Sequence, residues 1–151
     1  MRQTLLLTVL TAITFGVVAN AAQQKPNFSG RWVTVSPTEA AGQEQVVTHD
    51  AATLTTGHAS EGGGHGAVYK LDGTESRNVL TSHGKPIVTL SKAAWSGAQL
   101  TITSNTTYPD GRTRESKEVW SLDAEGRLVI EVNLTVSGQQ PMTIKMVSVK
   151  T

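Results

Sequence analysis

The chain has 151 residues, 38% apolar, 17% charged and 5% aromatic, and contains no cysteine. Thirteen Lys and Arg against twelve Asp and Glu leave a net charge of +1, which gives no electrostatic case for nucleic acid or an anionic membrane surface as a partner. The absence of cysteine excludes disulfides, thiol catalysis and thiolate metal sites.

Residues 1–21 read as a secretory signal. Arg2 supplies the positive start, an apolar stretch covers 5–18, and Ala19-Asn20-Ala21 is a small-x-small cleavage pattern. A membrane anchor is the rival, but the run is shorter than the ~20 apolar residues a span needs, and Thr8, Thr11 and Thr14 dilute it. Cleavage after Ala21 would remove Arg2 and leave twelve charges of each sign. The expectation is an exported, near-neutral chain, periplasmic or secreted, with a short lead over 22–28, a single domain over 29–151 and no membrane span.

From residue 29 onward Thr and Val dominate, and apolar positions recur every second residue, the period of a half-buried strand. The clearest run is Leu128, Ile130, Val132, Leu134 and Val136, then Met142, Ile144 and Met146. Strands are predicted over 29–35, 45–49, 52–58, 67–71, 74–82, 87–95, 99–108, 112–122, 127–136 and 142–150. One short helical turn fits within 37–45, where Thr38 could cap it. Compact turn signals separate the strands: Asp72-Gly73, Ser96-Gly97, Pro109-Asp110-Gly111, Glu125-Gly126 and Ser137-Gly138.

Turn chemistry fixes registers. Pro109-Asp110-Gly111 and Ala124-Glu125-Gly126 each suit a three-residue hairpin loop with glycine in the left-handed position. The first pairs Tyr108 with Arg112 and puts Leu100 opposite Trp120; the second puts Leu122 opposite Leu128 and Trp120 opposite Ile130. An odd-length loop at Gly138 would set Val136 against Met142 and Leu134 against Ile144. All three keep even-numbered side chains on one face, and a one-residue slip would turn the whole set outward.

That face is apolar through Leu100, Ile102, Trp120, Leu122, Leu128 and Ile130. It becomes polar through Ser104, Thr106 and Tyr108 on one strand and Glu118, Ser116, Arg114 and Arg112 on the next. Such a row suits the wet mouth of a cavity or a solvated strand end. Ser104, Thr106, Tyr108, Arg112, Arg114, Ser116, Glu118 and Trp120 are the pocket candidates. Closing a meander this long on itself abolishes both edge strands, so an all-β, antiparallel up-and-down barrel of eight to ten strands is expected, with a two-sheet sandwich as the rival.

Asn27-Phe28-Ser29-Gly30-Arg31-Trp32 resembles the Gly-x-Trp opening of lipocalin-like barrels. The resemblance implies that Trp32 plugs one barrel end beneath an arginine from a late strand, with Arg112, Arg114 and Arg127 as candidates. Together with Tyr69-Lys70-Leu71-Asp72-Gly73-Thr74-Glu75, Trp95-Ser96-Gly97 and Trp120-Ser121-Leu122, the opening also resembles a group of small exported bacterial proteins without assigned function. Residues 75–81 look like a middle strand of the avidins, but the later tryptophans of a biotin site are missing.

Other chemistry is sparse. His49, His58 and His65 lie near Asp50 and Glu61 but lack the i, i+4 or His-x-His spacing of a metal site; exposed loop histidines are the simpler reading, and no metal or cofactor is expected. Gly62-Gly63-Gly64 precede a strand, not the helix a phosphate cradle needs. No serine sits in a Gly-x-Ser-x-Gly elbow, and Glu118 beside Arg114 reads as an ion pair. The expected function is non-enzymatic: an exported barrel holding a small, largely apolar or amphipathic molecule. The alternative is an interaction or scaffold domain with a filled interior; a metal carrier or small enzyme ranks behind both.

Overall fold

The computed structural model describes residues 24–58 and 66–151; the proposed signal segment, Glu61, the glycine run and His65 lie outside them. Ten strands follow one another: β1 (Gly30–Ser36), β2 (Glu44–His49), β3 (Thr53–His58), β4 (Ala67–Lys70), β5 (Ser76–Ser82), β6 (Lys85–Ser96), β7 (Gln99–Thr107), β8 (Thr113–Leu122), β9 (Leu128–Val136) and β10 (Met142–Lys150). A single 3-10 turn, Thr38–Ala40, lies between β1 and β2, and Thr38 does not cap it. No described helix is long and apolar enough to cross a membrane.

The strands form one antiparallel sheet in the order β4-β3-β2-β1-β10-β9-β8-β7-β6-β5. Pairing of the first strand with the last rolls the meander into a barrel, and only β4 and β5 lack a backbone ladder between them. Side chains close that seam. The carboxamide of Asn78 receives the Val68 N–H at 2.9 Å and donates to the Val68 carbonyl at 3.1 Å, while Ser76 Oγ accepts the Lys70 N–H at 2.8 Å.

The registers follow the turns. Leu100 faces Trp120, Trp120 faces Ile130 and Leu122 faces Leu128. In both three-residue loops a backbone bond closes the hairpin, Tyr108 N–H to Arg112 O at 2.9 Å and Asp123 N–H to Arg127 O at 3.0 Å. The β9–β10 register departs from expectation by two residues: Met142 lies opposite Leu134, and Ile144 opposite Val132. The end of β9 stays with β8 instead, since Val136 pairs with Arg114 and Ser137 donates to the Thr113 carbonyl. Pro141 has no N–H with which to extend the β10 ladder. A shift of two preserves parity, so the even set still faces inward.

Inward alternation puts the apolar residues at one end. Trp32, Phe28, Leu54, Leu100, Ile102, Trp120 and Leu128 are buried there and pack into one apolar cluster. Phe28, from the lead before β1, forms a triangle of mutually packed rings with Trp95 (5.9 Å between ring centroids) and His49 (5.6 Å), which are 5.7 Å from each other, and meets Trp120 edge-on at 5.8 Å. Its carbonyl accepts the Trp32 indole N–H at 2.8 Å. Trp32 is thus buried at that end, and none of the candidate arginines covers it. Lys150 does, 5.6 Å from the ring centroid, because β10 pairs with β1 at that position.

Candidate functional site

Above the packed end the interior turns polar and a cavity of about 210 Å³ remains. Its wall is built from four parts of the barrel: Thr56 and Tyr69 from β3 and β4, Asn78 and Leu80 from β5, Thr89 and Ser104 from β6 and β7, and Arg114, Ser116 and Glu118 from β8. Gly66, Ala67 and the exposed Val79 also line it, so the cavity reaches the surface at the β4–β5 seam. The apolar cluster is its floor.

The charged groups do not neutralise each other by contact. Glu118 Oε2 accepts the Trp120 indole N–H at 2.9 Å, and Arg114 Nε, although buried, has no hydrogen-bond partner. The expected Arg114–Glu118 ion pair is thus replaced by an indole–carboxylate bond. Burial pushes the Glu118 carboxyl above its ordinary range; the indole bond and the Arg114 charge only partly oppose this. Tyr69 is pushed well up, first by burial and then by the Glu118 charge, against the pull of Arg114 and a hydrogen bond with Thr56. Its hydroxyl therefore stays protonated and can both donate and accept.

The expected site divides in two. Ser104, Arg114, Ser116 and Glu118 line the cavity. Trp120 lies beneath it as Glu118's partner, and Thr106 is buried in a hydroxyl pair with Thr89 at 2.9 Å. Tyr108 and Arg112 leave the site. The ladder ends at Thr107–Thr113, and past it Arg112 is exposed, bound to Asp110 at 2.7 Å and set over the Tyr108 ring at 5.6 Å. Parity assigns them a face, but the wall ends before they can use it.

Sequence reasoning missed Tyr69, Thr56, Asn78 and Thr89. Their signal was present in the alternation of Ala67 and Tyr69 and of Ser76, Asn78 and Leu80, but only closure brings those strands opposite β8. The histidines form no metal centre among the described residues. His49 is structural: its Nδ1 accepts the Phe28 N–H at 3.1 Å, and its backbone brackets Ser29 Oγ. His58 is exposed at the end of β3, and His83 occupies the β5–β6 turn with φ of 50°.

These features define a small, nearly closed ten-stranded up-and-down barrel, apolar at one end and polar-lined at the other. No family model matches the chain, and neither does any curated protein. Among solved structures it is similar to a luciferase domain of the dinoflagellate Lingulodinium polyedrum, at 11% identity and a TM-score of 0.52, over 81% of this chain and 42% of that one. The chain thus spans less than half of that domain. It is also similar to secretory abundant heat soluble protein 4 of Ramazzottius varieornatus, at 13% identity and a TM-score of 0.48, over 85% of this chain and 99% of that one. The first likeness supports the barrel fold; neither bears on the bacterial group that the sequence motifs resemble.

Proposed function

We propose that this protein is an exported, non-enzymatic carrier or receptor that holds one small amphipathic molecule in the barrel interior. The observation that carries the reading is the cavity of about 210 Å³ whose wall brings together Arg114, Glu118 and Tyr69. The Arg114 guanidinium is a fork of donors that an acceptor on a guest can meet. The volume lies below the ~300–1,000 Å³ of drug-sized pockets, so the guest is small. The lining shifts the expected guest away from a largely apolar molecule: Ala67 and Leu80 suit a short apolar segment, while Arg114, Glu118 and Tyr69 require a polar end. Binding is favoured over catalysis because Ser104 shares its hydroxyl with Ser91 at 2.8 Å and no histidine lines the cavity among the described residues. Export rests on the pattern of residues 1–21.

Native mass spectrometry of protein purified from its own host tests this reading. A co-purifying small mass is expected, lost in a cavity-filling Ala67→Trp variant that still melts cooperatively, and the mature N-terminus is expected at Ala22. Absence of any bound mass, with unchanged melting across a small-molecule panel, would favour the second reading of an interaction domain. The packed apolar end suits that reading, as does the open concavity of about 630 Å³ on the outer face of β6–β10, where Leu90, Lys92, Asn105 and Lys117 lie.

A further inference from the structure

Among the described residues the cavity holds one cation, Arg114, and one anion, Glu118, which make no contact with each other, and that arrangement restricts what can fill it. Arg114 and Glu118 project from the same face of β8, four residues apart, which separates their backbones by about 13 Å at the usual strand rise. Tyr69, on β4, lines the same cavity and feels both charges. An anionic guest alone would satisfy Arg114 and leave Glu118 facing a second negative charge; a cationic guest alone would do the reverse. A guest bearing both charges meets both groups.

We infer that the cavity is built for a small zwitterion whose acid and amine are separated by a short aliphatic chain, of the ω-amino carboxylate class. The guest's carboxylate takes the Arg114 guanidinium, and its ammonium takes Glu118 Oε1, the oxygen not used by Trp120. The Tyr69 ring offers the ammonium a π face, and Ala67 and Leu80 cover the methylenes. An α-amino acid, with both charges on one carbon, spans less of the β8 face than a guest whose charges are set apart by methylenes. This inference rests on the small-molecule reading and narrows it to a charge pattern.

Three probes of equal chain length test it on the wild-type mature protein: 6-aminohexanoate, hexanoate and hexylamine, followed by calorimetry and by intrinsic tryptophan fluorescence. The zwitterion is expected to bind at least ~10-fold more tightly than either single-charge probe, as two charge-assisted bonds against one require. Glu118→Gln is expected to erase its advantage over hexanoate, and Arg114→Gln its advantage over hexylamine. Hexanoate or hexylamine binding as tightly as the zwitterion overturns the inference and leaves the small-molecule reading standing. Failure of all three to bind also overturns it, and the mass carried by host-purified protein then decides the broader reading separately. The wild-type comparison needs no variant to fold.

Discussion

Asn78 makes with Val68 the two hydrogen bonds that a neighbouring backbone would otherwise make. One side-chain carboxamide, donating and accepting, spans the only adjacent strands that share no ladder. It also lines the cavity, so the same residue fastens the wall and faces the interior. Together with the Ser76–Lys70 bond, this device draws the two ends of the meander into a nearly closed barrel.

Removing the fastener should loosen β4 without unfolding the rest. Asn78→Ala is expected to cost about 0.5–1.5 kcal/mol, since the bonds are solvent-accessible. Amide exchange at Val68 should accelerate well beyond that change while β7–β9 amides follow global stability. Uniform acceleration throughout the barrel would show that the seam is held by something else.

The lead packed under the barrel should respond to acid. Burial lowers the His49 pKa from its ordinary 6.5, with Asp50 opposing, and Nδ1 must stay unprotonated to accept the Phe28 N–H. The unfolded chain therefore takes up the proton first. The contribution is complete above pH 6.5 and is lost as pH falls from there through the lowered value. His49→Asn retains an acceptor without titrating, so thermal melts between pH 7.5 and 5 should show a flatter decline than wild type.

Glu118 has the opposite sign. Its folded pKa lies above the ordinary 4.5, so the folded state holds the proton longer. The stability this brings is complete below pH 4.5 and is lost as pH rises through the folded value. Glu118→Gln keeps an acceptor for the Trp120 indole and should raise the melting temperature relative to wild type at pH 8, with the difference shrinking toward pH 4. A constant difference across that range would refute the assignment.

Two glycines should fail for different reasons. Gly126 has φ of 75° and open space where a Cβ would go, so Gly126→Ala should cost about 1–2 kcal/mol of backbone strain, with Gly126→Asn recovering part of it. Gly30 has φ of 148°, and an added Cβ would run into the Lys150 side chain. Gly30→Ala should therefore also displace the cation over Trp32, which a change in tryptophan emission would report.

Much of this was legible in the residues alone. Strand period and turn chemistry are local: Gly111 and Gly126 impose the left-handed geometry their loops need, and each loop hands its register to the next strand. The inward set through Leu100, Trp120 and Ile130 followed, as did four of the cavity residues on β7 and β8. The β9–β10 offset was not legible, because the loop at Gly138 lets β9 end against β8.

What the sequence determined by itself was the periodicity, and with it which side of each strand faces inward; alternation is a property of the chain, and burial enforces it everywhere. Only the tertiary structure decided which strands meet. Lys150 rather than an arginine covers Trp32, Tyr69 stands across from Arg114, and His49 holds the lead in place. These are contacts between residues far apart in the chain, set by the curvature and closure of the sheet, and no local pattern encodes where a closed wall brings its two ends together.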